Sequence, residues 1–309
     1  MLRFLPIVAL LTAALACGSA RAQGAPCDRA CLKTALDQYL AALVQHDPTA
    51  APLAVGFRQT ENAQVRAPGT GLWQSAAGLG AVQRRYLDAA TEQAGYFGTI
   101  DEAAGPAIVT LRLKIEDRRI TEAEWVVNRR GDPGLGALGG GQAAAAFYDP
   151  VYLAEHAPPE RVVPRSERLS RAELVAIANS YFDGLTAHDG DLIIAHDGCV
   201  RVENGALTTQ RPIETGGATD CTSEGAMRNI FAVTARRYPV VDEEAGAVLG
   251  LALFQRYPGV AMRRNLLAEW FYVEEGKIRS IYAAMYYPDA EALLPNWPPF
   301  DGNWPVQPA

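Results

Sequence analysis

The chain matches itself at one constant offset. Leu32 and Leu174, Tyr39 and Tyr181, Leu43 and Leu185, His46 and His188, Asp47 and Asp189, Glu61 and Glu203, and Asn62 and Asn204 are identical pairs, each 142 residues apart. Such a run without a gap is hard to obtain by chance, and it means two copies of one folding unit. Further on the offset drifts, to 141 for Asp101 and Asp242 and to 158 for Ile115 and Val273. The second copy therefore gains 158 − 141 = 17 residues before its final strands. That is enough for one extra strand and turn, so the first copy is expected to carry the smaller sheet.

The local patterns fit two α+β units. Leu32, Leu36, Tyr39, Leu40 and Leu43 recur at helical spacing after Asp28, and His46-Asp47-Pro48 ends that helix. A short helical turn is expected between Pro48 and Pro52, a strand over Phe57–Val65, a second helix over Leu79–Ala90, and strands over 96–100, 107–115 and 120–128. Residues 130–169 are rich in Gly and Pro and read as a linker, with a short helical piece near Ala143. Ser170 with Glu173 has the form of a capping box and opens the second long helix. After it come a strand over 199–207, a helix over 224–235, a strand over 248–255, and a hairpin of 266–274 and 278–286. The stretches ARRYPVVDEEAG (235–246) and TIDEAAG (99–105) read as one recurrent turn between helix and sheet. The organisation is thus 1–22, 27–128 as domain one, 129–169 as linker, 170–288 as domain two, and a Trp/Pro-rich tail over 289–309. Trp297, Phe300 and Trp304 are expected to pin the tail to the body.

Residues 1–22 have the form of a secretory signal peptide: a short positive start, an apolar run from Phe4 to Ala16, and Ala20-Arg21-Ala22 before Gln23. The rival is a lipoprotein signal ending at Cys17. Without residues 1–22 the chain loses Arg3 and Arg21 and no acid, so its net charge falls from −7 to −9. No block of Lys or Arg remains to neutralise phosphates, so nucleic acid is not an expected partner. No second apolar run is long enough to cross a bilayer. Four cysteines stay with the exported chain. Cys199 and Cys221 would close a loop worth about 3 kcal/mol, while Cys27 and Cys31 would staple a helix start. Zinc is disfavoured, since the pairs are not CxxC and no histidine sits at ligand spacing.

The order of elements resembles the nuclear-transport-factor-2-like fold, a cone-shaped α+β fold that includes the polyketide-cyclase (SnoaL-like) proteins. The resemblance covers about 27–128 and 170–288, and implies a curved antiparallel sheet packed on helices in each copy. A more specific resemblance is to a family of secreted, largely fungal proteins without an assigned activity. It is carried by Cys199 with Glu203-Asn204-Gly205, by RRYPVVDEE (236–244), by AEWFYVEEGKIRSIYA (268–283), and by Glu61-Asn62 and Gly71-Leu72-Trp73. The fold resemblance implies a pocket at the open end of each cone. Where such proteins catalyse, an Asp, Glu or His on the sheet does acid/base work on a small molecule.

Within that frame Glu203 and Glu269 are the candidate acid/base groups, with Arg201, Tyr238, Arg256 and Tyr282 as candidate substrate contacts. Arg201 and Glu203 share one strand face; if it is concave they form a site, and if convex a solvated surface. Ile278, Ser280, Tyr282, Ala284 and Tyr286 form a small-and-aromatic stripe, either cavity lining or plain core. The two His-Asp pairs sit at helix ends, where His meets the helix dipole and Asp caps the next turn. No nucleophile elbow, P-loop, dinucleotide fingerprint or HExxH is present, so cofactor-free chemistry is expected, with no metal. The alternative is a non-catalytic ligand-binding or scaffolding protein. Its two domains would pair with one another, or the chain would form a homodimer.

Overall fold

The computed structural model describes residues 26–138, 142–144, 147–210, 218–223, 229–260 and 262–288. In the first half, helix α1 (Arg29–Val44) leads through a 3-10 turn (Pro48–Ala50) to strands β1 (Leu53–Glu61) and β2 (Gln64–Val65). Helix α2 (Leu72–Ser75) and four long strands come next: β3 (Ala76–Asp88), β4 (Gln93–Glu102), β5 (Ala107–Glu116) and β6 (Arg119–Asn128). The connecting segment holds a small hairpin, β7 (Gly136–Leu138) with β8 (Gln142–Ala144), and helix α3 (Pro150–Glu155). The second half repeats the first, with α4 (Arg171–Ala187), a 3-10 turn (Gly190–Leu192), β9 (Ala195–Glu203), β10 (Ala206–Leu207), β11 (Ala232–Asp242), β12 (Ala247–Gln255), β13 (Asn265–Glu274) and β14 (Lys277–Tyr286).

Local sequence explains where the long helices begin. The Asp28 side chain accepts a hydrogen bond from Cys31 N at the start of α1, and Ser170 and Glu173 form a reciprocal capping box on α4. Leu32, Leu36, Tyr39 and Leu43 in α1, and Leu174, Tyr181 and Leu185 in α4, are buried against their sheets. The His-Asp pairs are structural in both copies. His46 and His188 adopt left-handed backbone, and Asp47 and Asp189 cap the adjoining 3-10 turns.

The two sheets have the same strand order, β2-β1-β6-β5-β4-β3 and β10-β9-β14-β13-β12-β11. Among the described residues the first copy's sheet is therefore not the smaller, and the second copy's sheet has no additional strand. The offset is 142 at β1 and β9, 154 at Asp88 and Asp242, and 158 at β5 and β13. The extra residues lie in the approach to β11, which carries Cys221, and in the β12–β13 connection. Each sheet is mixed where antiparallel pairing was expected, because β1 runs parallel to β6 and β9 parallel to β14.

Several sequence expectations are corrected. Leu79–Ala90 lies mostly in β3 and forms no helix; Val82 and Tyr86 are four apart, a step that keeps one face in either geometry. Ala232–Ala235 begins β11, and the rest of the expected 224–235 helix includes residues outside those described. Ala143 lies in β8, not in a helical piece. TIDEAAG joins β4 to β5 while DEEAG joins β11 to β12, so they are different turns, both between strands. The counterpart of DEEAG is Asp88–Glu92. Residues 1–22, Cys17 and the tail over 289–309 lie outside the described residues.

Both disulfides are formed, Cys27–Cys31 and Cys199–Cys221. Bonds of this kind persist in oxidising compartments. No described helix is long and apolar enough to cross a membrane.

A core between α1 and its sheet, a second between α4 and its sheet, and a third between the two sheets share the apolar side chains. Val82, Tyr86 and Phe97 meet Trp270, Tyr272 and Tyr282 in that third core. Its rim is closed by a reciprocal clasp. Asp242 accepts from Arg29 Nη1 at 2.7 Å and from Leu87 N at 2.8 Å. Asp88 accepts from Arg171 Nη1 and from Val241 N at 2.9 Å. Arg29 and Arg171 are themselves 142 apart and open their respective helices, so each domain's first helix grips the other domain's first long hairpin.

Candidate functional site

The face of the second sheet that carries Cys199, Val248, Leu267, Phe271 and Met285 packs on α4 and is the interior of that domain. Strand parity brings Arg201, Glu203 and Glu269 to this same face. The interstrand register sets Gly250, Glu269, Ala283 and Glu203 side by side in one row across β12, β13, β14 and β9. The charged face of β9 is therefore the interior one, on the side where α4 packs. It is not a solvated surface.

Arg201 is buried and committed to its neighbours. Its Nη1 donates to Tyr181 Oη at 2.8 Å, its Nε donates to Thr208 Oγ1 at 3.0 Å, and its Nε lies 3.5 Å from Glu203 Oε2. Glu269 is fully buried, and among the described residues neither of its carboxyl oxygens has a hydrogen-bond partner. Burial first, and the Glu203 charge second, hold this carboxyl well above the usual glutamate range, with Arg201 opposing. A buried acid without a partner costs about 1–3 kcal/mol, and it has the character of a group that waits for a ligand or a proton transfer.

Arg256 lies just past the end of β12. It donates from Nε to Arg263 O at 3.2 Å, from Nη1 to Asn229 O at 3.1 Å, and from Nη2 to Asn265 Oδ1 at 2.5 Å. Burial pushes its pKa down to about 10, with Tyr287 and Glu203 partly offsetting that. Tyr238 stands to one side, its Oη donating to Asn179 Oδ1 at 2.7 Å and its ring stacked on Phe182. Tyr282 is elsewhere. It lies in the core between the sheets, packs edge-on to Phe97 and Tyr272, and donates from Oη to His156 O at 3.0 Å. The aromatic stripe of β14 is thus seam rather than cavity lining for Tyr282 and Ala284, while Ile278 turns into the interior core. A register shift between Tyr272 and Val273 accompanies that change of face.

The first domain has the same row with different residues. Tyr96, Leu111, Trp125 and Glu61 stand where the second domain has Gly250, Glu269, Ala283 and Glu203. Tyr96, Leu111 and Trp125 are fully buried or nearly so, as is Trp73. Gln59 replaces Arg201, and its Oε1 accepts from Tyr39 Oη at 2.8 Å and from Trp73 Nε1 at 2.7 Å. Trp125 Nε1 donates to Tyr39 Oη at 3.2 Å. Glu61 accepts from Leu72 N and pairs with Arg129 at 2.9 Å, which ties α2 down over this interior. The same interior row carries satisfied aromatic side chains in one copy and, among the described residues, an unpartnered carboxyl in the other. The recurrent Asn62 and Asn204 belong to neither difference: each adopts left-handed backbone and clamps the strand beside it, at Val127 and Met285.

This asymmetry has a measurable consequence. Tyr39→Phe should cost about 1 kcal/mol through its lost hydroxyl. Tyr181→Phe should cost a similar amount and should also loosen Arg201 beside Glu269. Urea titration of both variants measures the two losses.

Sequence reasoning missed Tyr181, Thr208, Asn265 and Tyr287 beside the site, and Gln59, Trp73 and Trp125 in the filled counterpart. For Gln59 against Arg201 and Trp125 against Ala283, the signal was present in the disagreement between the copies. Among the described residues no group of three or more His, Cys, Asp or Glu side chains could hold a metal ion.

Taken together, the two halves are tandem domains of α+β class, each a six-stranded mixed sheet with a long first helix packed on it. Residues 167–285 match the family described as "Domain of unknown function (DUF8021)". No curated protein matches the chain. Similar solved structures include AusH from Aspergillus nidulans, 13% identical with a TM-score of 0.28, over 38% of this chain and 85% of that one. BvnE pinacolase from Penicillium brevicompactum is 13% identical with a TM-score of 0.27, over 37% of this chain and 86% of its own. An NTF-2 like protein of unknown function from Burkholderia xenovorans LB400 is 15% identical with a TM-score of 0.27, over 41% of this chain and 90% of its own.

Proposed function

We propose that this is an exported protein whose second domain encloses a small-molecule site. Its chemistry is that of a cofactor-independent lyase or isomerase acting on a hydrophobic or aromatic metabolite. The observation that carries this reading is Glu269, buried and unpartnered on the interior face where the first domain has a leucine. Glu269, whose carboxyl burial holds well above the usual glutamate range, acts as the general acid, and Glu203, beside Arg201, as the base. Arg201 and Tyr181 orient the reacting end of the substrate, and Arg256 its far end. Export is supported by the two disulfides and by the form of residues 1–22.

The test is a thermal-shift screen of the mature protein against a panel of aromatic metabolites, then turnover of any hit. Glu269→Gln and Glu203→Gln should each lower kcat by about 100-fold or more, in the range of a lost general acid or base. Unchanged turnover in both variants ends the catalytic assignment. A second reading, a non-catalytic binding protein, is favoured by the filled interior of the first domain, which leaves that half a structural role. It predicts tight binding of a hit without conversion.

A further inference from the structure

Arg256 differs from three other arginines of this domain's interior and rim. Arg201 has Glu203, Arg236 has Asp183 and Arg237 has Glu124 as carboxylate partners. The three hydrogen bonds of Arg256 go to two backbone carbonyls and one amide oxygen, all neutral. A guanidinium has five N–H donors, so two remain, and among the described residues no carboxylate forms an ion pair with it. Arg256 is half-buried, and an arginine drawn partly out of water and held by neutral groups alone is set to receive an anion. Nor is the side chain loose. Asn265, itself buried, fixes it from β13, on the strand face that also carries Leu267 and Glu269.

Asn265 and Glu269 are four residues apart on one strand, which is about 13 Å. The apolar side chains Phe254, Leu267 and Met285 lie along that span, with Glu203 and Tyr287 near its Arg256 end. A cation at one end, an apolar middle and an unpartnered buried acid at the other define a ligand with matching parts. We infer that the second domain takes an aromatic carboxylate of one or two rings. The carboxylate pairs with Arg256, and a carbonyl or hydroxyl oxygen at the opposite end accepts a hydrogen bond from Glu269. This rests on the proposed small-molecule site and adds the charge and length of what occupies it.

Isothermal titration calorimetry of the mature protein at pH 7 with three matched pairs tests this: 4-hydroxybenzoate and 4-hydroxybenzamide, 4-hydroxycinnamate and 4-hydroxycinnamamide, and 6-hydroxy-2-naphthoate and 6-hydroxy-2-naphthamide. At least one acid should bind tenfold or more tightly than its amide. Arg256→Gln should bring that ratio to within threefold by weakening the acid alone. Arg256→Lys, which keeps the charge and serves if the Gln variant does not fold, should weaken the acid at least threefold and leave the amide unchanged. Glu269→Gln should leave the acid-to-amide ratio where it was. Equal binding of acids and amides, or a ratio indifferent to both Arg256 variants, overturns the inference while the site itself stands. Binding of none of the six at millimolar concentration overturns the inference and counts against the site as well.

Discussion

Glu269→Leu is expected to make the protein more stable by about 1–3 kcal/mol at neutral pH, and to abolish ligand binding. Leucine fits the position, since Leu111 occupies the same place in the first domain, where it is fully buried. The gain has a pH dependence whose sign comes from the direction of the Glu269 shift. The folded carboxyl titrates well above the ordinary value of 4.5, so above about pH 4.5 the native state holds a proton that the unfolded chain releases. Native stability therefore falls as pH rises from there to the folded midpoint, and below it Glu269 adds no dependence. The advantage of the leucine variant should be smallest near pH 4.5 and should grow upward, by at most about 1.4 kcal/mol per pH unit. Urea denaturation at pH 4.5 and 7.5 measures it. A difference that is the same at both pH values rejects a neutral buried acid.

Asp242→Ala should cost about 3–5 kcal/mol, the range for breaking a buried ion pair by removing one partner. Asp242 is nearly fully buried and receives hydrogen bonds from Arg29, Leu87 N, Glu244 N and Ala245 N. The substitution leaves the buried Leu87 N–H without an acceptor and releases α1 from the second domain at the same time. Asp88→Ala should have a similar effect through Arg171 and Val241 N. A double-mutant cycle of Arg29→Ala with Asp242→Ala should show coupling of about 1 kcal/mol or more, which additive losses at unlinked sites would not give. The clasp contributes to domain pairing, so limited proteolysis between residues 129 and 169 should accelerate in either aspartate variant.

The repeat, the long helices and most strands were legible because each is written locally, in caps, apolar spacing and turn residues. Asp28, the Ser170–Glu173 box and the two His-Asp ends all did in the structure what their residue types dictate. β3 was misread as a helix because Val82 and Tyr86 satisfy a helical and a strand period alike, and only pairing with β4 decides between them. The site was half legible. Arg201, Glu203 and Glu269 were named from parity and chemistry, but which face is concave depends on where α4 lies, and no single strand records that. Tyr282 was misplaced for the same reason, and it lies in the seam. The row that sets Glu269 between Gly250 and Ala283 joins strands distant in sequence, so no spacing reveals it. Identities between the copies mark caps and turns such as Asn62 and Asn204. Differences such as Leu111 against Glu269, and Trp125 against Ala283, mark where the second domain's interior departs from the first.

The central claim is that Glu269 stands protonated inside the second domain. Carboxyl carbon-13 NMR of glutamate-labelled protein, with Glu269→Gln used to assign the resonance, measures this directly between pH 3 and 9. The expected result is a Glu269 signal that keeps its protonated shift through pH 7. A midpoint in the ordinary glutamate range, near about 4.3, would contradict it.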